Sequence, residues 1–260
     1  MPFFSYNNKA VFYKVKGRGA PLFLLHGNTL SSKIYDGHVK FYSKYFKVIV
    51  FDFPGHGSSQ KTDSFHPDYW ADNAKVAVGI ANILGLNRVN VIGAGGGALT
   101  ALNMALYEPA LINKIIADSF YITPLAEKEL AGIKQERAAM KKNFTMAAAM
   151  FMLHGFKWKH VLDADTRMLE NFVKKNKSYF PKKLSEIKSE VLLTGSVLDA
   201  SVENMKENLE AISREIPNSE IYLFDEGAYP SVLTNKYEFR RLSLDFFGLT
   251  GAARSCRAKK

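Results

Sequence analysis

The sequence predicts an α/β fold in which a mostly parallel central sheet is flanked by helices. Short apolar runs alternate along the chain with longer stretches of helical periodicity, an order typical of βαβ units. The chain has 260 residues, 47% of them hydrophobic, and is long enough to bury one sizeable α/β core. The runs expected to form strands are Leu22–Leu25, Val48–Phe53, Val89–Ile92, Ile112–Ala117, Val191–Thr194 and Ile221–Phe224.

Helical spacing between these runs predicts the flanking layers. We expect helices over about 68–84, 97–107, 203–214 and 236–247. Proline at 109 and 217 stands where two helices should end, because proline cannot continue a helix. Val11–Val15 alternates in character and predicts an antiparallel edge strand, a common addition to parallel sheets.

A helical insertion interrupts the sheet pattern. From about Pro124 to Pro181 the strand pattern disappears, and apolar residues recur at helical spacing among Ala, Met, Lys and Glu. We expect a cap that covers the crevice where open α/β sheets bind ligands. The predicted organisation is a core of 1–122 and 184–250, a helical cap of 123–183, and a disordered basic tail of 251–260.

Composition narrows the classes of function. The formal charge is +10, but the lysines are spread along apparent helix faces, which favours a solvated basic surface over a nucleic-acid-binding module. No apolar run approaches the roughly 20 residues that span a bilayer, and no secretory signal begins the chain. The single cysteine, Cys256, fits a reducing compartment. We therefore expect a cytoplasmic protein that binds a small molecule, with no nucleic acid or membrane partner; the oligomeric state is left open.

A glycine turn follows the third parallel strand pattern. Residues 93–98 read Gly-Ala-Gly-Gly-Gly-Ala between an apolar run and a helical pattern. In the nucleophile elbow G-x-S-x-G, the middle residue is a serine on a sharp strand-to-helix turn. Gly95 stands at that position and has no side chain that could attack a substrate.

Two earlier segments complete a family pattern. The His-Gly-Asn segment at 26–28 and the stretch 51–59 (Phe-Asp-Phe-Pro-Gly-His-Gly-Ser-Ser) end predicted strands, and the elbow follows some 35 residues later. Together they resemble the α/β-hydrolase superfamily over about residues 10–250. The resemblance implies the α/β-hydrolase fold and an oxyanion hole built from the backbone N–H groups of Asn28 and Gly96.

The resemblance also assigns the downstream residues. The stretch 192–199 is similar to the strand and loop that carry the family's acid, which implies that role for Asp199. The stretch 224–230 is similar to the histidine loop, but Tyr229 takes the histidine's place, or Ala228 if the alignment shifts by one. A serine mechanism needs hydroxyl, base and acid as one unit. The catalytic triad is therefore degenerate.

Other residues are candidates for the remaining roles. His26 could be a substitute acid or base, or could hydrogen-bond loop backbone. Tyr229 could exchange a proton or merely fill the vacated space. Asp118, His154 and Trp158 could bind the ligand, or could cap and pack neighbouring elements. No metal-ligand pattern occurs, and we expect neither metal nor cofactor.

Three functional hypotheses follow. The first is a pseudo-hydrolase that holds a small, partly apolar molecule between core and cap, as a binder or as a noncovalent lyase, isomerase or cyclase. The second is an esterase-like hydrolase inactivated by substitution of an active parent. The third is a dinucleotide-binding protein, because Gly93-Ala94-Gly95-Gly96-Gly97-Ala98 also satisfies G-x-G-x-x-A, with Asp118 ending the next strand.

Overall fold

A computed structural model describes residues 2–123, 125–175, 177–202 and 204–249. In this part of the chain, eight strands form one sheet. The strands are β1 (Phe3–Tyr6), β2 (Lys9–Lys16), β3 (Pro21–Leu25), β4 (Lys47–Phe51), β5 (Val89–Ala94), β6 (Ile112–Asp118), β7 (Glu190–Ser196) and β8 (Ser219–Phe224).

The sheet is mostly parallel, as predicted. Its strand order is β1-β2-β4-β3-β5-β6-β7-β8, and only the β1–β2 and β2–β4 pairs are antiparallel. The prediction that Val11–Val15 forms the edge strand is wrong, because β1 pairs outside it. β1 is too short to show a clear alternation, and it is held by Phe4, whose ring packs against Gly79 of the helix beneath it.

Helices cover both faces of the sheet. They are α1 (Asp36–Tyr42), α2 (Tyr69–Ile83), α3 (Gly96–Tyr107), α4 (Glu127–Lys142), α5 (Phe144–His154), α6 (Trp158–Lys174), α7 (Met205–Glu215), α8 (Ser231–Thr234) and α9 (Lys236–Phe246). Successive side chains of a strand point to opposite faces. Phe23 and Leu25 of β3 therefore join the core under α2, α3 and α7, whereas Leu22 and Leu24 join the core under α1 and α9. The four predicted helices correspond to α2, α3, α7 and α9; α1 was not predicted.

The three helices α4, α5 and α6 lie between β6 and β7 in the chain, within the predicted cap. Met150, Trp158 and Leu162 form a small apolar cluster inside this unit. The other end of α6 packs Met168 and Phe172 into the main core. The cap is thus joined to the sheet through α6. The predicted tail of 251–260 lies outside the described residues.

None of the helices in the described ranges combines the length and the apolar character needed to cross a membrane.

Candidate active site

The turn after β5 keeps the sharp geometry of a nucleophile elbow. Gly95 has φ 55° and ψ −119°, a conformation that side-chain-bearing residues adopt only under strain. A Cβ atom on Gly93 would lie 2.2 Å from the carbonyl oxygen of Gly97, and one on Gly97 would lie 2.1 Å from that of Leu25. Glycine at both positions therefore lets α3 start directly against β3 and β5.

Tyr229 occupies the space that a side chain at position 95 would need. Its hydroxyl oxygen lies 2.1 Å from the position of a Cβ atom on Gly95. The side chain is 39% exposed, but the hydroxyl end is enclosed, and this burial raises the pKa of Tyr229. The phenol is therefore protonated at neutral pH. Among the described residues its oxygen has no hydrogen-bond partner, so it is free to donate to a bound molecule.

Two backbone donors flank the same position. Within the described ranges, neither the Asn28 N–H nor the Gly96 N–H has a hydrogen-bond partner. Free N–H groups at these two places are what an oxyanion hole requires. The Tyr229 hydroxyl thus lies beside Gly95, and the two residues of the predicted oxyanion hole keep unpaired N–H groups.

The side chain of Asn28 is locked over Gly96. Its Oδ1 accepts a hydrogen bond from Trp70 Nε1 (3.1 Å), and its Nδ2 donates to Asp165 Oδ1 (3.0 Å). A Cβ atom on Gly96 would lie 1.9 Å from Asn28 Oδ1. Glycine at 96 therefore makes room for this amide, which fixes the loop that presents the Asn28 N–H.

Asp165 connects this loop to the cap. It is fully buried, and its Oδ2 accepts from Arg137 Nη2 at 2.5 Å. Burial raises the pKa of Asp165, and Arg137 opposes the shift. Sequence reasoning missed Trp70, Arg137 and Asp165. The available signal was a carboxylate on the apolar stripe of α6, in register with Leu162 and Leu169.

Asp199, the predicted acid, has one carboxylate oxygen that is hydrogen-bonded and one that is not. It is 5% exposed, and its Oδ1 accepts from the backbone N–H of Ser201 at 2.9 Å. Its Oδ2 is buried without a hydrogen-bond partner among the described residues. In a triad this oxygen would accept from the histidine. Asp199 also lines a cavity of about 520 Å³ with Met205 and Lys206. A second cavity, of about 260 Å³ beside Tyr6, involves none of the residues around the elbow.

His26 has both ring nitrogens occupied by backbone. Phe53 N–H donates to Nε2 (3.0 Å), so Nδ1 carries the proton and donates to the Gly27 carbonyl (2.8 Å). Complete burial lowers the pKa of His26 and keeps the ring neutral. The geometry matches the loop-bonding alternative and leaves no nitrogen for a substitute acid or base.

Asp118 also has its carboxylate oxygens occupied. Oδ1 accepts from Thr194 Oγ1 (2.7 Å) and from the Ser231 hydroxyl, and Oδ2 accepts from Val232 N–H (2.9 Å). Burial raises the pKa of Asp118 to about 6. These contacts hold the start of α8. A fully buried carboxylate of this kind does not reach a ribose, so the structure does not support the dinucleotide alternative.

His154 and Trp158 make packing contacts. His154 accepts from Gly57 N–H at Nδ1 (2.9 Å) and donates from Nε2 to the Thr29 carbonyl (2.8 Å). Trp158 is buried within the cap cluster. His154 therefore clamps the end of α5 to two core loops, one of them adjacent to Asn28.

Solved structures similar to this chain are hydrolases. Est816, described as an N-acyl homoserine lactone degrading enzyme, has a TM-score of 0.75 at 20% identity, and the match covers 94% of this chain and 100% of that one. The enol-lactonase of Burkholderia xenovorans LB400 has a TM-score of 0.71 at 16% identity, covering 95% and 99%.

A curated relative carries a similar name. The (E)-2-((N-methylformamido)methylene)succinate hydrolase of Acinetobacter baylyi is 28% identical over 137 residues, which are 52% of this chain and 51% of that protein. The match thus spans about half the length of the relative.

These names correct the first functional hypothesis. The expectation of a non-hydrolytic binder or noncovalent catalyst is wrong, because the similar proteins are named as hydrolases. That hypothesis was based on the missing serine and histidine. It gave too little weight to the turn after β5, which keeps the geometry of an elbow.

The family itself follows from the sequence profile. The profile of the alpha/beta hydrolase fold matches residues 20–196, more than half of the chain. Its span includes the oxyanion loop, the elbow and the strand that precedes Asp199. This chain belongs to the alpha/beta hydrolase fold family.

Proposed function

We propose that this chain carries the active site of a hydrolase for small esters or lactones, inactivated at positions 95 and 229 relative to an active parent. The observation that carries the proposal is the backbone of Gly95, which has the positive φ of an elbow although it presents no side chain. Glycine adopts this conformation without strain, whereas a serine would be strained there. The sharp strand-to-helix turn supports descent from a chain with a nucleophile at this position.

The environment of the elbow supports the same proposal. Unpaired N–H groups at Asn28 and Gly96 would suit the oxyanion of a tetrahedral intermediate, as acyl transfer requires. The buried, unpartnered Oδ2 of Asp199 suits a histidine that is no longer present. In this proposal the N–H donors and the acid remain, while glycine replaces the nucleophile and tyrosine replaces the base.

Tyr229 accounts for the inactivation that we propose. Its hydroxyl fills the space of the nucleophile, and its raised pKa keeps it protonated and weakly nucleophilic. The substrate class is suggested by the similar proteins, which include an N-acyl homoserine lactone degrading enzyme and an enol-lactonase. A small-molecule substrate and a cytoplasmic location form part of the proposal.

The test restores both positions. Gly95→Ser with Tyr229→His should hydrolyse p-nitrophenyl acetate or a γ-lactone well above the unaltered chain, and a phosphonate should label position 95, as detected by mass spectrometry. Gly95→Ser alone should stay inactive, because it lacks a base and its Cβ meets the Tyr229 hydroxyl. Adding Asp199→Asn to the double variant should reduce kcat by about 10³-fold or more.

Two outcomes would contradict the proposal. One is a double variant that folds, as shown by its circular dichroism and thermal unfolding, yet neither turns over ester nor reacts with phosphonate. The other is rapid ester hydrolysis by the unaltered chain, which would mean that the site is not inactivated.

A further inference from the structure

The cap presents an unusually apolar outer surface. We define the α5 surface as the exposed side chains of Phe144, Met146, Phe151, Met152 and Phe156. Phe144 is 88% exposed, Met152 73% and Phe156 92%. Exposed helix faces in water are normally polar, and contiguous apolar exposure marks an interaction site.

This surface is held in place by the core. Met150 and His154 are the buried residues of α5. His154 bonds to two core loops, and Lys33 Nζ donates to the Met152 carbonyl (2.8 Å) while Ser31 Oγ donates to the Leu153 carbonyl (3.3 Å). The exposed aromatic and methionine side chains are therefore presented outward by an anchored helix.

Basic residues precede and follow the apolar segment in the chain. Between Glu136 and Asp163 the sequence contains five basic residues and no acidic one; they are Arg137, Lys141, Lys142, Lys157 and Lys159. Arg137 and Lys141 are ion-paired with Asp165 and Asp163. Lys142 and Lys157 are exposed and have no ion-pair partner in the described ranges. One exposed lysine thus stands two residues before Phe144, and another directly follows Phe156.

We propose that the α5 surface docks the protein on an anionic lipid membrane. An apolar helix face with lysines at its edge is the combination that binds the interface of a bilayer, with the apolar side chains among the acyl chains and the lysines near anionic headgroups. A symmetric contact with a second copy would bring the same lysines together, and like charges oppose it.

The proposal departs from the expectation of no membrane partner. Along the sequence the lysines are spread, and the structure adds that the apolar side chains between Lys142 and Lys157 are exposed. Because His154 links α5 to the loop that carries Asn28, docking would place the hydrolase site near the membrane. The docking does not depend on the proposed function, since it uses none of the residues at positions 95, 199 or 229.

The test measures binding of the full chain to vesicles. We expect co-flotation with vesicles of 70% phosphatidylcholine and 30% phosphatidylserine, at least about tenfold weaker binding to pure phosphatidylcholine, and weaker binding as salt rises. Phe144→Ser with Phe156→Ser should reduce binding about tenfold. Tyr237→Ser is the matched control, because Tyr237 is 76% exposed on α9, outside the surface.

A charge control separates this surface from general attraction by a basic protein. Lys142→Glu with Lys157→Glu should weaken binding more than the equal charge change made by Lys206→Glu with Lys236→Glu. Equal losses in both pairs, or binding unaffected by the phenylalanine substitutions, would overturn the proposal. So would absence of vesicle binding together with a concentration-dependent dimer, measured by ultracentrifugation, that the phenylalanine substitutions abolish.

Discussion

Gly95 and Tyr229 share one small space at the centre of the site. A glycine at 95 tolerates the positive φ, and the missing Cβ leaves room for the phenol oxygen. The two residues are therefore coupled, because the size of the side chain at one position limits which side chain fits at the other. Stability measurements can detect this coupling without any assay of activity.

We predict that Gly95→Ala lowers the free energy of unfolding by about 1–3 kcal/mol, from backbone strain and from contact with the Tyr229 oxygen. Tyr229→Phe removes that oxygen and should recover part of the loss. A double-mutant cycle by urea unfolding should give a coupling energy of about 1 kcal/mol. Additive effects within about 0.3 kcal/mol would show that the two side chains do not compete for this space.

The ion pair between Asp165 and Arg137 offers a second prediction. Asp165→Ala leaves a largely buried guanidinium unpaired and frees the Asn28 amide, so it should lower the free energy of unfolding by about 3–5 kcal/mol. The control is Glu170→Ala, which breaks the exposed pair with Lys134 and should cost under about 1 kcal/mol. Urea unfolding measures both. Similar losses in the two variants would refute the structural importance given to Asp165.

At the scale of elements, two helical glycines have opposite roles. Gly97 lies in the first turn of α3, where the helix start contacts the backbone of β3. Gly132 lies exposed inside α4 with no neighbour near its missing Cβ. The same residue type is thus required in one helix and unfavourable in the other.

We predict opposite signs for the two alanine substitutions. Gly132→Ala should raise the free energy of unfolding by about 0.5–1 kcal/mol, because alanine restricts the unfolded chain and suits a helix. Gly97→Ala should lower it by about 2 kcal/mol or more, since its Cβ meets a backbone oxygen that cannot move independently. Thermal unfolding of both variants tests these signs. If Gly97→Ala raised the free energy of unfolding, that result would show that α3 can shift away from β3.

At the scale of the whole molecule, the stability depends on buried histidines, of which His154 links the cap to the core and His38 lies on α1. Burial lowers the pKa of both His154 and His38 to about 4. For His154, Lys61 and His26 add to this effect while the Thr29 carbonyl and Asp52 oppose it. Protonation of His154 would also remove the acceptor for Gly57 N–H.

We predict a loss of stability on acidification from pH 6.5 to pH 4. In this range the unfolded chain binds protons at His154 and His38 that the folded chain does not, so the free energy of unfolding falls as the pH falls. Asp118, with its pKa raised to about 6, acts in the opposite direction below that pH. His154→Asn should flatten the slope by up to about 1.4 kcal/mol per pH unit, measured by urea unfolding across the range. Parallel curves for the two proteins would contradict this.

Much of this protein follows from local sequence patterns. Alternating and continuous apolar runs indicated the parallel strands and their flanking helices, because burial on two faces needs only local periodicity. The glycine turn and the segments ending the first two parallel strands indicated the family and the positions of Gly95 and Asn28, and the stretch 192–199 indicated that of Asp199. These inferences concern residues that are close together along the chain.

Only the tertiary structure decided how distant side chains share space. Asn28 and Asp165, 137 positions apart, form one hydrogen bond, and the Tyr229 hydroxyl fills the space beside Gly95. The apolar run of α5 could equally have been buried, and the fold leaves it exposed beside lysines. Local periodicity contains no information about which distant groups meet, because that depends on how the layers pack.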